Sequence, residues 1–203
     1  MFNRFKSPLL AVALSVAALP LPAAPLGLDV ISAYLDQMST AYGRFRQYNA
    51  DGSTIEGDLQ IKRPGRIRFA YDSPSDALIL AIGGQLAIFD PRSNTGPDRY
   101  PLAQTPLNII LRQDVDLDGE TLISNVREID GYTIVAAQDA ENPQLGMLEL
   151  YFSNDPVALR QWVITDEFGN QTATALSDLR LGLPINDTVF SIQREMRERG
   201  FTD

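Results

Sequence analysis

The residues of this chain able to carry chemistry are chiefly carboxylates, and their most suggestive spacing is Asp114-Val115-Asp116-Leu117-Asp118-Gly119-Glu120. Alternating carboxylates before a glycine open a calcium loop of the EF-hand type, in which side-chain oxygens surround the cation and glycine permits the sharp turn. The match then fails. The twelfth position is Asn125, where a bidentate glutamate is needed, and the ninth is Leu122, which offers no side-chain oxygen. The residues that follow read as strand where an EF-hand needs helix, so an acidic loop is the better assignment and no metal is expected. The chain has no histidine and no cysteine, which removes imidazole bases, thiol nucleophiles and the usual zinc ligand sets. No G-x-S-x-G, G-x-G-x-x-G or Walker A pattern occurs. The expectation is a protein without enzyme activity.

The second cluster is basic: Lys62-Arg63-Pro64-Gly65-Arg66. Lys62 falls in the polar set of an alternating strand, so Arg63 points to the face that carries Ile61. A guanidinium on an apolar face is costly unless its donors are met. Backbone carbonyls at a helix or loop end would suit its fork of N–H groups. The other reading is that Pro64 ends the strand and Arg63 reaches solvent past the rim.

The elements that would position these residues follow from hydrophobic period. In residues 28–42 the apolar positions Leu28, Ile31, Leu35 and Met38, with Tyr34 and Ala41 on the same stripe, predict one amphipathic helix. The period then changes to two. Ile55, Gly57, Leu59 and Ile61 alternate with polar residues, and a partner strand at 45–50 joins through Asp51-Gly52. Ile67, Phe69 and Tyr71 continue the alternation, with Arg66 and Arg68 on the other face. Residues 77–82 and 85–89 are apolar on both faces and are joined by Gly83-Gly84, so these strands should lie under a cover. Further strands are predicted at 122–129, 132–137, 147–152, 159–165 and 171–176. Thr105-Pro106-Leu107 resembles a helix start with threonine as N-cap, and Leu107, Ile110 and Leu111 form its apolar edge. Asn186-Asp187-Thr188 reads as a capped turn, and the charged tail from Gln193 reads as exposed or frayed. The fold class is mainly β (α+β), a single antiparallel sheet or barrel with few helices. So few helices leave the sheet either with a ligand cavity or closed as a packed barrel.

Composition sets the compartment. Arg4 and Lys6 precede an apolar run from Pro8 to Pro22, and Ala23-Ala24 supplies a small-residue cleavage point. Residues 1–23 are expected to be a secretory signal, with 24–203 as one domain; the run is too short and proline-broken for a membrane-spanning anchor. The chain carries a net charge of −9, and losing Arg4 and Lys6 takes it to −11. Such a charge repels nucleic acid and anionic lipid headgroups alike and favours a basic protein partner. A soluble exported protein is expected.

The order of motifs resembles the LolA family of periplasmic outer-membrane lipoprotein carriers. The landmarks are the leading helix, Phe45-Arg46-Gln47, Gly57-Asp58-Leu59 running into Lys62-Arg63-Pro64-Gly65, and Arg68-Phe69 with Tyr71 and Pro74. Gly83-Gly84-Gln85-Leu86, Phe89-Asp90, Pro101-Leu102, Thr105-Pro106-Leu107, Asp178-Leu179 and Val189-Phe190 follow in order. The resemblance covers nearly all of the mature chain; the departures are that the chain carries only two lysines, Lys6 and Lys62, and that its tail is unlike the family's usual close. It implies a strongly curved, incomplete β-barrel with a helical lid over an apolar cavity, and no cofactor. It implies that acylated lipoproteins are taken from an inner-membrane ATP-binding cassette complex and delivered to the outer membrane, to a lipoprotein receptor or to the membrane itself. On the same basis Arg63 is the latch of the lid. Phe45, Ile61, Ile67, Phe69, Leu80 and Ile88 are expected to line the cavity with Leu107, Ile110 and Leu111 of the lid. A lipid- or lipoprotein-sensing regulatory module and a glycolipid shuttle are the alternatives on the same scaffold.

Overall fold

A computed structural model of the chain describes residues 24–117, 119 and 122–201. The expected signal 1–23, and Asp118 and Glu120 of the acidic loop, lie outside the described residues. Strands β1 (Thr40–Tyr48), β2 (Thr54–Lys62), β3 (Arg66–Tyr71), β4 (Leu78–Ile82), β5 (Gln85–Phe89) and β6 (Asp98–Pro101) form one antiparallel meander. A second meander comprises β7 (Leu122–Ile129), β8 (Tyr132–Asp139), β9 (Met147–Asn154), β10 (Val157–Thr165) and β11 (Gln171–Leu181). The two join where β11 pairs with β1, which leaves β6 and β7 as the edges of a single 11-stranded sheet that does not close into a barrel. The connection from β6 to β7 therefore has to cross the opening, and it carries helix α2 (Leu107–Leu111). Helix α1 (Leu28–Gln37) precedes β1, and helix α3 (Ile192–Glu198) follows β11.

The alternation read in the sequence sets the inner face. Leu59 pairs with Phe69 and Ile61 with Ile67 across β2 and β3, so their buried side chains stack in rows on one side. Those rows, the inner residues of β8 to β11, and Ile31, Leu35, Ile109 and Ile110 from α1 and α2 belong to one buried cluster. For strands so far apart in the sheet to share one core, the sheet must coil strongly around it. Gly57 makes one contact of this core possible. A β-carbon there would stand 2.7 Å from the Phe45 ring and closer still to the Ala70 carbonyl. Gly57→Ala is expected to destabilise the fold by about 1–3 kcal/mol through overpacking, measured as a lower denaturation midpoint at unchanged slope.

Three expectations need correction. The helix predicted to residue 42 ends at Gln37, and Thr40, Ala41 and Tyr42 are in β1. There they pair with Lys62, Ile61 and Gln60 of β2, while Ala41 and Tyr42 also pair with β11. Ladder bonds to two neighbours outweigh the helical spacing of Ala41. The tail, read as exposed or frayed, forms α3. Ser191 caps it by accepting from the Arg194 backbone N–H at 3.1 Å, and Arg194–Glu198 and Arg199–Glu195 pairs brace it one turn apart. Its Ile192 and Met196 pack on Leu78, Leu80, Ala87 and Phe89 in a second cluster on the outer side of the sheet. This helix is the cover that the two-sided apolar strands require. The Thr105 hydroxyl does not cap α2 but donates back to the Leu102 carbonyl at 2.9 Å.

Candidate functional site

The turn between β2 and β3 brings Arg63 against both helical segments that cover the inner face. Its side chain is almost wholly buried, and all of its nitrogens are used. Nε donates to the Arg112 carbonyl at 2.6 Å, Nη2 to the Gln113 carbonyl at 2.7 Å, and Nη1 to the Leu35 carbonyl. Leu35 lies in the last turn of α1, whereas Arg112 and Gln113 directly follow α2. One planar fork thus gathers the C-terminal end of α1, where carbonyls carry partial negative charge and that of Leu35 also accepts from the Met38 N–H, and the segment leaving α2. The backbone repeats the link, since Arg63 N–H donates to Ser39 and Gly65 N–H to Leu111, each at 2.8 Å. Burial pushes the Arg63 guanidinium down from its usual value, while Asp36, 3.9 Å away, and Asp114 pull it back up. Of the two readings of this residue, the buried one with carbonyl acceptors describes its geometry. On the opposite face of the same hairpin, Lys62 and Arg66 both reach Asp187 at 2.7 Å.

Beneath the helices, the inner face is apolar and occupied by its own side chains. Phe45, Ile61, Ile67, Phe69, Leu107, Ile110 and Leu111 lie together there, none more than 6% exposed. Leu80 does not join them. The register sets Ile79 opposite Phe69 and Ala81 opposite Ile67, which turns Leu80 to the outer face under α3. A strand buried on both sides gives no apolar phase from which to choose. Sequence reasoning predicted the strands of the second meander but named none of their residues for the inner face. Leu148, Leu150, Phe152 and Trp162 complete the core, and the alternation Leu148, Leu150, Phe152 was a usable signal for it. Trp162, the sole tryptophan, meets Phe69 edge to face at 6.1 Å; Phe69 meets Phe45 at 5.2 Å, and Phe45 meets Tyr71 at 5.1 Å.

This aromatic row ends at an open cleft of about 800 Å³. Ile55, Ile79 and Ile88 share its walls with Ala77 and Pro74, and Gln47 and Tyr71 also line it. Ile88 is thus on the inner side, but half-buried in this cleft rather than under the helices. The cleft lies at the far end of β2 and β3 from Arg63, because it takes in the first residues of β2 and the last of β3.

Comparison with known proteins agrees with this architecture. The family model described as outer membrane lipoprotein carrier protein LolA matches residues 36–193. The outer-membrane lipoprotein carrier protein of Methylobacillus flagellatus is 26% identical, covering 89% of this chain and 92% of that one. The protein of the same name from Azotobacter vinelandii is 24% identical over 96% and 95% of the two chains. Among solved structures, a candidate outer membrane lipoprotein-sorting protein domain from Vibrio parahaemolyticus superposes with a TM-score of 0.51 at 11% identity, covering 83% of this chain and 97% of that one. At that identity the likeness speaks for the fold alone. With the family match running from the end of α1 to the start of α3, the chain belongs to the LolA family.

Proposed function

We propose that this protein is a periplasmic carrier that shields the acyl chains of lipoproteins on the inner face of its sheet while moving them from the inner to the outer membrane. The observation that carries this reading is Arg63, a single buried cation joining the ends of two helical covers over a continuous apolar face. The names of the relatives supply the cargo class. Burying acyl chains is worth about 0.8 kcal/mol per methylene, so long chains do not cross water unshielded at a useful rate. The protein must match that burial and yet release its load. A lid held by one hydrogen-bonded cluster meets both needs, because cargo that binds only the open form shifts the population toward it.

In this reading residues 1–23 are removed on export, Arg63 latches the lid, and Phe45, Ile61, Ile67, Phe69, Leu107, Ile110 and Leu111 part to admit the chains. No cofactor takes part; an inner-membrane ATP-binding cassette complex loads the monomer, and an outer-membrane acceptor unloads it. The test is to incubate the purified chain with inner-membrane vesicles holding an acylated lipoprotein, that complex and ATP. A soluble one-to-one complex with acylated protein, seen by native mass spectrometry, is the expected result. Free lipid alone in the protein, with all lipoprotein still sedimenting, would overturn the reading.

A further inference from the structure

We propose that the cleft beside Tyr71 is a separate docking site for one acyl chain bearing an uncharged head, and that it fills while the helical covers stay latched. The acyl class of the ligand rests on the carrier reading; the place and the order rest on geometry. The walls at Ile55, Ile79 and Ile88 are half-buried and continuous with the main core, against which Ile55 and Ile79 pack. Its volume of about 800 Å³ lies within the range of roughly 300–1,000 Å³ usual for sites that hold a small ligand. Neither α1 nor α2 contributes to its lining. A chain can therefore reach this surface without breaking any hydrogen bond of Arg63.

The polar groups around the cleft point to the kind of head. Each charge at its rim already has a partner: Glu56 holds Arg46, Asp72 holds Arg44, and Asp90 holds Arg92 at 3.3 Å. On the inner side, the Tyr71 hydroxyl donates to Gln47 Oε1 at 2.7 Å, and Gln47 Nε2 donates to Asn49 Oδ1 at 2.6 Å. Among the described residues that line the cleft the one cation is Arg92, whose side chain is 90% exposed and screened by water, against the carboxylates of Glu56, Asp72 and Asp90; this balance favours an ester- or amide-linked chain over a free fatty acid. Burial pushes the Tyr71 phenol up to about 12, which keeps it a neutral donor to Gln47 at any physiological pH. Tyr71 also stands between the cleft and the row Phe45, Phe69, Trp162. The Tyr71–Gln47 pair is thus a gate: a chain docked outside it passes inward only when the aromatic row and the covers move.

The experiment titrates the whole mature protein with dodecyl maltoside, a neutral single-chain probe, below its micelle concentration, and with dodecanoate in parallel. Calorimetry reads affinity, hydrogen exchange reads α1 and α2, and emission reads Trp162. The expected result is saturable one-to-one binding of the maltoside, weaker binding of dodecanoate, and unchanged exchange in both helices and unchanged Trp162 emission. Ile88→Glu should weaken maltoside binding at least about tenfold by placing a carboxylate against the chain. Ile55→Ser, a milder change, should weaken it less and serves if the first variant loses its fold. Equal affinity with both wall variants folded, equal binding of dodecanoate, or faster exchange in α1 and α2 on binding would each overturn the proposal. Failure of the carrier reading looks different: the maltoside would still dock beside Ile88, but no lipoprotein would leave the vesicles.

Discussion

Replacing Arg63 with leucine is expected to open the helical covers without unfolding the sheet. The substitution removes three hydrogen bonds to the carbonyls of Leu35, Arg112 and Gln113. Bonds from a charged donor contribute about 1.5–3 kcal/mol each, but an open lid lets water take over the carbonyls, so the net shift should be about 3 kcal/mol, near a hundredfold in the opening equilibrium. Leucine also relieves the cost of burying a cation, so global stability should fall by less than lid stability does. The measurement is hydrogen exchange in α1 and α2 against exchange in β2 and β10: the helices should speed up and the strands should not. Lysine at this position keeps the charge, but a single ammonium cannot present a planar fork to three carbonyls, so Arg63→Lys should resemble leucine more than wild type. Under the carrier reading, a lid biased open binds cargo more tightly by the same factor, and release to the acceptor slows. Unchanged protection of α1 and α2 in Arg63→Leu would remove the latch role.

What the sequence makes legible here is set by how local the cause is. The alternation of Ile55, Gly57, Leu59 and Ile61 is a property of one strand against one apolar layer, and it reads directly as β2 with its inner face. Arg63 is half legible: counting along β2 gives the face it points to, but its acceptors lie 28, 49 and 50 residues away. A one-sequence reading identifies the need for acceptors and not their address. Leu80 and the tail share one cause. Strands β4 and β5 are buried on both sides, so neither has an apolar phase, and only register with β3 separates Ile79 from Leu80. The second layer that makes this so is α3, whose apolar face consists of little more than Ile192 and Met196 among charges. Too few apolar residues for a stripe hid the helix, and without the helix the outer face of Leu80 had no visible partner.

Trp162→Ala should have the largest effect on stability of any change to the inner face, and its consequence for ligands should run the other way. Trp162 is buried from solvent and packs edge-on against Phe69 in the same cluster as Leu150 and Phe152. Truncating a buried tryptophan costs about 3–5 kcal/mol, partly lost transfer energy and partly the void left behind. A void lined by Phe69 and its apolar neighbours lacks the polar partners that hold water, and such cavities stay dry and accept apolar guests. The variant is therefore expected to melt well below wild type when empty and to recover in proportion to the logarithm of added dodecyl maltoside, as a ligand that binds only the folded form requires. Wild type, whose interior is filled by this ring, should gain less at the same concentration. The comparison separates two kinds of carrier. If the variant is destabilised but not rescued, the inner face is a packed core that must be prised apart for every load. If rescue is larger than in wild type and Trp162→Phe lies between, the aromatic row is the placeholder that acyl chains displace, and its packing sets how tightly the empty carrier stays closed.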